Sequence, residues 1–314
     1  MAQPTDTFDS YDSIGNREDL SDIIYNIAPF ETPFLTMCAT TKATSTNHEW
    51  QTDTLAASAD NKVIEGDEAT ADAITPTVRL GNRTQISDKV IVITGTQEAI
   101  NKAGRKSEVA YQMAMRSKEI KKDMEKALVG LNNAKVTGNN ATPRELASVQ
   151  SWIKTNVDKA SDGANPTGDG TDARTDGTQR AFTETQLKNV LQQVWTSGGN
   201  PTVLMVGAFN KVVASGFSGG ATRLDKAEDK KIYAAVDVYV SDFGEIKIVP
   251  NREQRARDAL VLDMDYWKVA YLRPFFTQDL SVTGDSIKKQ LIVEYTLEAC
   301  NEKASGIVAD LTTS

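Results

Sequence analysis

The stretch "GRKSEVAYQMAMRSKEIKKDMEKALVGLNN", Gly104 to Asn133, decides how this chain folds. Val109, Met113, Ile120, Met124, Leu128 and Leu131 recur at helical spacing, Ser107 stands where an N-cap belongs, and Gly138 with Asn139 follows the end. Lys118, Lys121, Lys122 and Glu125 read as the wet side. About 25 residues at ~1.5 Å rise predict a rod of roughly 37 Å. Such a rod needs a broad partner, and the C-terminal region supplies one. Leu291, Val293, Tyr295 and Leu297 alternate with Glu294, Thr296 and Glu298, which predicts a strand whose apolar row packs on the helix.

Upstream, two extended segments, His48 to Leu55 and Thr77 to Thr94, flank a polar, small-residue middle from Ala56 to Thr75. They predict a hairpin that projects outward. Residues 1–42 are rich in Asp, Ser and Thr and punctuated by proline, with one helical hint where Leu20, Ile23 and Ile24 share a face. Within them, "IAPFETPFLTM" (Ile27 to Met37) carries two prolines yet offers Phe30, Phe34, Leu35 and Met37 for burial, so it reads as an extended apolar arm.

Downstream, Leu146, Val149 and Trp152 suggest a short helix or turn. Asp158 to Gln179, biased to Gly, Asp and Thr, reads as a long exposed loop. Leu187, Val190, Leu191 and Val194 predict a helix over Thr183 to Thr196, followed by a strand at "PTVLMVG" and a helix at Ala208 to Ala214. A hairpin with Val236, Val238 and Val240 on one arm and Ile246 and Ile248 on the other turns at Asp242-Phe243-Gly244. The class is α+β.

With 35 Lys and Arg against 43 Asp and Glu, the net charge of −8 argues against a general polyphosphate-binding surface. Two cysteines, Cys38 and Cys300, and no leader after Met1 fit a reducing cytoplasm. The longest apolar runs fall far short of the ~20 residues that span a bilayer, so the chain reads as soluble.

Chemistry finds little purchase. Gly216-Phe217-Ser218-Gly219-Gly220 satisfies the G-x-S-x-G pattern, which makes Ser218 the one candidate nucleophile of a serine hydrolase. That motif needs a strand before it, whereas a helical stretch precedes it here, and the sole histidine, His48, lies before the serine rather than after it. One His and two distant Cys furnish no closed zinc site, and the acids of the Asp158 to Gln179 loop lack calcium-loop spacing. No phosphate-cradling glycine motif is present. We therefore expect no enzyme, no catalytic residue, no cofactor and no metal.

Several runs carry a family resemblance. Asn82-Arg83-Thr84-Gln85-Ile86, Val92-Ile93-Thr94-Gly95-Thr96-Gln97, Gly104 to Gln112 and Lys118 to Glu125 resemble the major capsid proteins of tailed double-stranded DNA bacteriophages. Thr32-Pro33-Phe34-Leu35, Val240 to Gly244, Ile248 to Arg252, Leu272 to Phe275, Thr283-Gly284-Asp285 and Glu294-Tyr295 follow in that family's order. The resemblance implies the fold of tailed-phage and herpesvirus capsids. Its parts would be an N-terminal arm (1–42), an extended β-hairpin loop (43–96), a peripheral domain with a spine helix (97–145 and 286–314) and an axial α/β domain (146–285).

It further implies self-assembly into hexamers and pentamers of an icosahedral head that encloses DNA without sequence-specific binding. Phe30, Phe34, Leu35 and Met37 would be arm contacts to a body or neighbour. A separate scaffolding protein, a portal and decoration proteins would be partners. The protein would reside in the virion and assemble in the host cytoplasm, with no membrane involved. An encapsulin-like compartment shell, sharing the fold but enclosing enzymes, is the alternative.

Overall fold

The computed structural model describes residues 31–68, 71–217 and 238–314. In chain order the elements begin with α1 (Pro33–Met37), β1 (Ala39–Lys42), β2 (Asn47–Thr52), β3 (Val78–Arg83) and β4 (Gln85–Thr94). Then come α2 (Gly95–Ala99), α3 (Glu108–Val129), β5 (Val157–Asp158), α4 (Glu184–Thr196), β6 (Val203–Val206) and α5 (Ala208–Ser215). The chain closes with β7 (Val238–Ser241), β8 (Gly244–Pro250), β9 (Ala259–Leu262), β10 (Trp267–Asp279), β11 (Ser286–Ala299) and β12 (Gly306–Val308).

Helix α3 spans 22 residues, roughly 33 Å, with the Ser107 side chain accepting from Ala110 N at its start. It ends at Gly130, so Leu131 lies beyond it and is exposed. Ile120, Met124 and Leu128 are fully buried and meet Leu291, Val293, Tyr295 and Leu297 of β11, as the two periodicities require. Strand β11 lies inside a four-stranded sheet of order β1-β10-β11-β4. Register shifts between β10 and β11 fall on either side of Arg273, next to Pro274, which has no amide hydrogen to give the ladder.

The second sheet, β5-β12-β9-β6-β8-β7, is covered on both faces. Val203, Met205, Leu260, Leu262 and Ile307 point into the core that α3 and β11 build. Leu204, Val206, Ala259, Val261 and Val308 point into a second core with Leu187, Val190, Leu191 and Val194 of α4. Helix α4 begins with a full capping box from Thr183 and Gln186. It sits close on β12 because Gly306 has no side chain: a Cβ there would lie 2.4 Å from Val190 Cγ1.

Five expectations are corrected. Glu125, read as part of the wet side of α3, is fully buried because it caps other elements. The segment from Pro33 is a short helix, since proline at the first helical position has no amide to miss. The hairpin is only β2 with β3, because β4 leaves it to pair with β11. On β7 the inward residue is Tyr239, whereas Val238 and Val240 are exposed; Val236 lies outside the described residues. The loop at Asp158 to Gln179 is tied down, with an Ala164–Thr175 bridge and the Arg174 side chain buried beneath it. Strand pairing also cuts across the expected segments, since β10 joins β11 while β12 joins the six-stranded sheet.

Helix α1 is held from inside the body. Phe34 is fully buried, its ring 6.4 Å from that of Trp267. The fully buried Glu125 of α3 accepts from Phe34 N at 2.8 Å, Leu35 N at 2.9 Å and Asn251 Nδ2 at 2.7 Å. One carboxylate thus satisfies two orphan amides of α1 and ties it to the residue after β8.

Glu125→Ala strands three donors, two of them buried, and is expected to destabilise the isolated subunit by about 2–5 kcal/mol in denaturant unfolding. Phe34→Ala is expected to cost about 3–5 kcal/mol. Unchanged midpoints would mean that α1 is not part of the core. Burial also raises the Asp258 carboxyl from 3.8 to about 6 despite Arg255 and Arg174. The folded chain then keeps a proton that the unfolded chain has released, so this group's contribution is complete below pH 3.8 and lost as pH climbs through about 6. Relative to Asp258→Asn, the wild type should lose up to about 3 kcal/mol across that window. Parallel pH profiles would contradict this.

Candidate assembly interface

Strand β11 is buried on its polar row as well as its apolar one: Glu294 is 3%, Thr296 0% and Glu298 8% exposed. Each acid therefore needs partners, and they come from the base of the hairpin and its neighbours. Glu294 accepts from Thr84 Oγ1 at 2.8 Å, Arg144 Nη2 at 2.6 Å and Arg273 Nε at 2.7 Å. Glu298 meets His48 Nε2 at 3.0 Å and Lys268 Nζ at 3.5 Å. Burial works against the Glu298 charge, but His48, Cys300 and Lys268 together hold its carboxyl below the usual range.

The hairpin base is sewn down further. Asn82 of β3, fully buried, accepts from Ala147 N at 2.9 Å and donates to Leu297 O at 2.9 Å. Lys135 donates to Gly81 O at 2.8 Å and Asp169 O at 2.7 Å, with its ammonium 5.8 Å from the Trp152 ring. Trp50 of β2 lies 5.2 Å from the same ring.

Beyond this base the chain changes character. From Asp53 to Thr77 the described residues form no strand or helix, and Leu55 (99%), Val63 (81%), Ile64 (78%) and Ile74 (94%) are exposed. A second apolar surface runs along β4, an edge strand: Ile86, Val90 and Val92 face outward while Ile91 and Ile93 face the core. Its edge borders a cleft of about 530 Å³ lined by Val90 to Thr94, Gln97, Glu108, Gln112 and Arg116. The unalternating run Val90-Ile91-Val92-Ile93 carried this signal, since two apolar faces on one strand call for two partners. The sequence reading took it for the end of the projecting hairpin.

Of the four arm residues, Phe34 is buried, Leu35 and Met37 are half-buried against the same core, and Phe30 lies outside the described residues. Ser218 also lies outside them. Helix α5 runs directly into Gly216, so a helix and not a strand leads into the G-x-S-x-G stretch. His48 is engaged with Glu298. Burial drives the Cys38 thiol far above its ordinary range and raises that of Cys300, so neither is primed as a nucleophile. Among the described residues no cluster of three or more His, Cys, Asp or Glu is placed to hold a metal, and no helix is long and apolar enough to cross a membrane.

Known proteins match this architecture from end to end. The chain is 27% identical to the major capsid protein of Escherichia phage Phieco32, an alignment that covers 98% of this chain and 97% of that one. The capsid of cyanophage A-1(L) superposes with a TM-score of 0.65 at 15% identity, covering 95% of this chain and 98% of that one. A structure of the major capsid and decoration proteins of phage G gives 0.56 at 10% identity, covering 99% and 100%. These likenesses establish the tailed-phage capsid fold. With residues 3–312 matching its profile, the chain belongs to the SU10 major capsid protein family.

Proposed function

We propose that this protein builds an icosahedral phage head by gathering into hexamers and pentamers that close around double-stranded DNA. The observation that carries this reading is the segment Asp53 to Thr77. Its large aliphatic residues are almost wholly exposed, yet it springs from a base fixed by Asn82, Glu294 and Glu298. About twelve residues a side at ~3.3 Å each reach roughly 40 Å from the end of β2, far enough to lie across a neighbouring copy. Docking there would cover Leu55, Val63, Ile64 and Ile74, worth about 1.5–3 kcal/mol each.

In this reading the extended loop covers residues 43–84. A peripheral part takes 85–145 with 267–304, and an axial part takes 146–266 with 305–314. Leu35 and Met37 stay in place as arm contacts. The net charge of −8 suits a lining that does not trap the duplex. Scaffolding and portal proteins, assembly in the host cytoplasm and a decoration protein, such as phage G carries, complete the proposal. The role is structural, not catalytic. Neither a serine hydrolase nor an enzyme-enclosing compartment draws support from the relatives named above.

Thr52 faces Val78 across the hairpin, so Asn-Gly in place of residues 53–77 closes β2 on β3 with a two-residue turn. This variant should unfold within about 0.5 kcal/mol of the wild type, since the described residues it replaces are exposed. It should sediment as subunits or small rings under conditions where the wild type closes shells. Shells from the shortened chain would refute the reading. Lys62, whose side chain is 82% exposed, should be cut by trypsin in free subunits and spared in shells. Equal cutting in both, once access to the shell surface is allowed for, would count against loop docking.

A further inference from the structure

A groove of about 660 Å³ lies between α1, α3 and β8. Pro33, Met37, Val249 and Pro250 give it apolar walls, and Lys121 and Lys247 stand at it, with Glu31 the one acid among its described lining residues. The volume is about four times that of a 150 Å³ cavity that accepts benzene, so several aliphatic side chains fit.

The tip of the Asp53 to Thr77 loop has the complementary make-up. Asp67 N donates to Ile64 O at 3.1 Å, and Gly66, at φ +84°, takes the left-handed position of that turn, which glycine occupies without strain. Val63 and Ile64 lead into the turn and are both exposed. Glu65, Asp67 and Glu68 are exposed beside them, while Lys62, the one cation from Asp60 to Glu68, lies 2.6 Å from Asp60. The tip therefore offers two aliphatic side chains within a net negative charge, and the groove offers apolar walls with two lysines. The outer face of β4 is the other apolar surface, but Asp88 stands in its row and Glu108 lines the cleft beside it, where Arg116 is already paired with Glu119. Charge favours the groove.

We propose that the turn Val63 to Asp67 of one copy seats in the groove between α1, α3 and β8 of a second copy. Val63 and Ile64 meet Met37, Val249 and the two prolines, and Glu65 and Asp67 face Lys121 and Lys247. This rests on the loop docking proposed above and names the surface that receives it. The seated tip spans the seam between the neighbour's two sheets, since α3 packs on β11 of one and β8 belongs to the other.

The test uses the unaltered protein. Shells are assembled from equal amounts of unlabelled and heavy-nitrogen-labelled chains and treated with a carbodiimide, which couples an amine to a carboxylate only where the two touch. The expected product is a peptide joining Lys121 or Lys247 to Glu65 or Asp67, carrying both isotopes in the proportion of random mixing and absent from dilute subunits. Lys121→Glu with Lys247→Glu should raise the subunit concentration needed for shells about fivefold at low salt, as for two surface pairs, and adding Glu65→Lys with Asp67→Lys should restore it. Links from the tip acids to lysines elsewhere on a neighbour would overturn this receiving surface and leave loop docking standing. Closed shells with no such link, links confined to single-label chains, or a charge swap that restores nothing would overturn the proposal outright. Wild-type protein that closed no shells would sink the function proposed above, and this docking with it.

Discussion

The polar row Glu294, Thr296 and Glu298 on β11 is buried opposite the apolar row that packs on α3, and a buried carboxylate without partners is among the most costly things a fold can contain. The partners are drawn from four separate stretches of chain: His48, Thr84, Arg144, and Lys268 with Arg273 on β10. To supply them, β2, β3 and the segment after α3 must converge on one face of a single strand. That convergence fixes where the hairpin leaves the body. An apolar cover over β11 would stabilise as well but would leave the hairpin's direction unspecified, whereas ion pairs and the Asn82 bonds select one register.

From this constraint follows a division of labour. The six-stranded sheet places alternate residues in two cores and leaves little to move. Among the apolar residues left exposed are those of the Asp53 to Thr77 loop and of the outer face of β4, and a groove opens where α1 begins. For a monomer these exposed aliphatic residues are a liability; for a protein that meets its own copies they are contact surface. The fold thus keeps its rigidity and its stickiness in different places, joined through the hairpin base.

Helix α3 was legible because its period, its Ser107 cap and its partner strand all agreed. Thr183 to Thr196 was legible for the same reason, with a capping box added. Three features escaped because local rules were overruled by long-range contacts. Pro33 to Met37 reads as extended until the Glu125 carboxylate, about ninety positions away, offers its amides a cap. The Asp158 to Gln179 loop reads as solvent-exposed, yet Arg174 is buried beneath it and Asp310 accepts from Gly177 N at 2.7 Å. Glu294 and Glu298 read as the wet side of a strand because their cations lie far off in sequence. The outer face of β4 needed no distant information; its run of four β-branched residues was read as a strand without asking what covers its second side.

The central claim is that a rigid body presents the Asp53 to Thr77 loop to a neighbouring copy. Electron cryomicroscopy of the assembled protein tests it most directly. The account predicts closed shells of hexamers and pentamers, with β2 and β3 seated on β11 as described and continuous density for residues 53–77 lying over the adjacent subunit. Shells in which this loop stays within its own subunit's outline, or a protein that remains monomeric under every assembly condition, would contradict it.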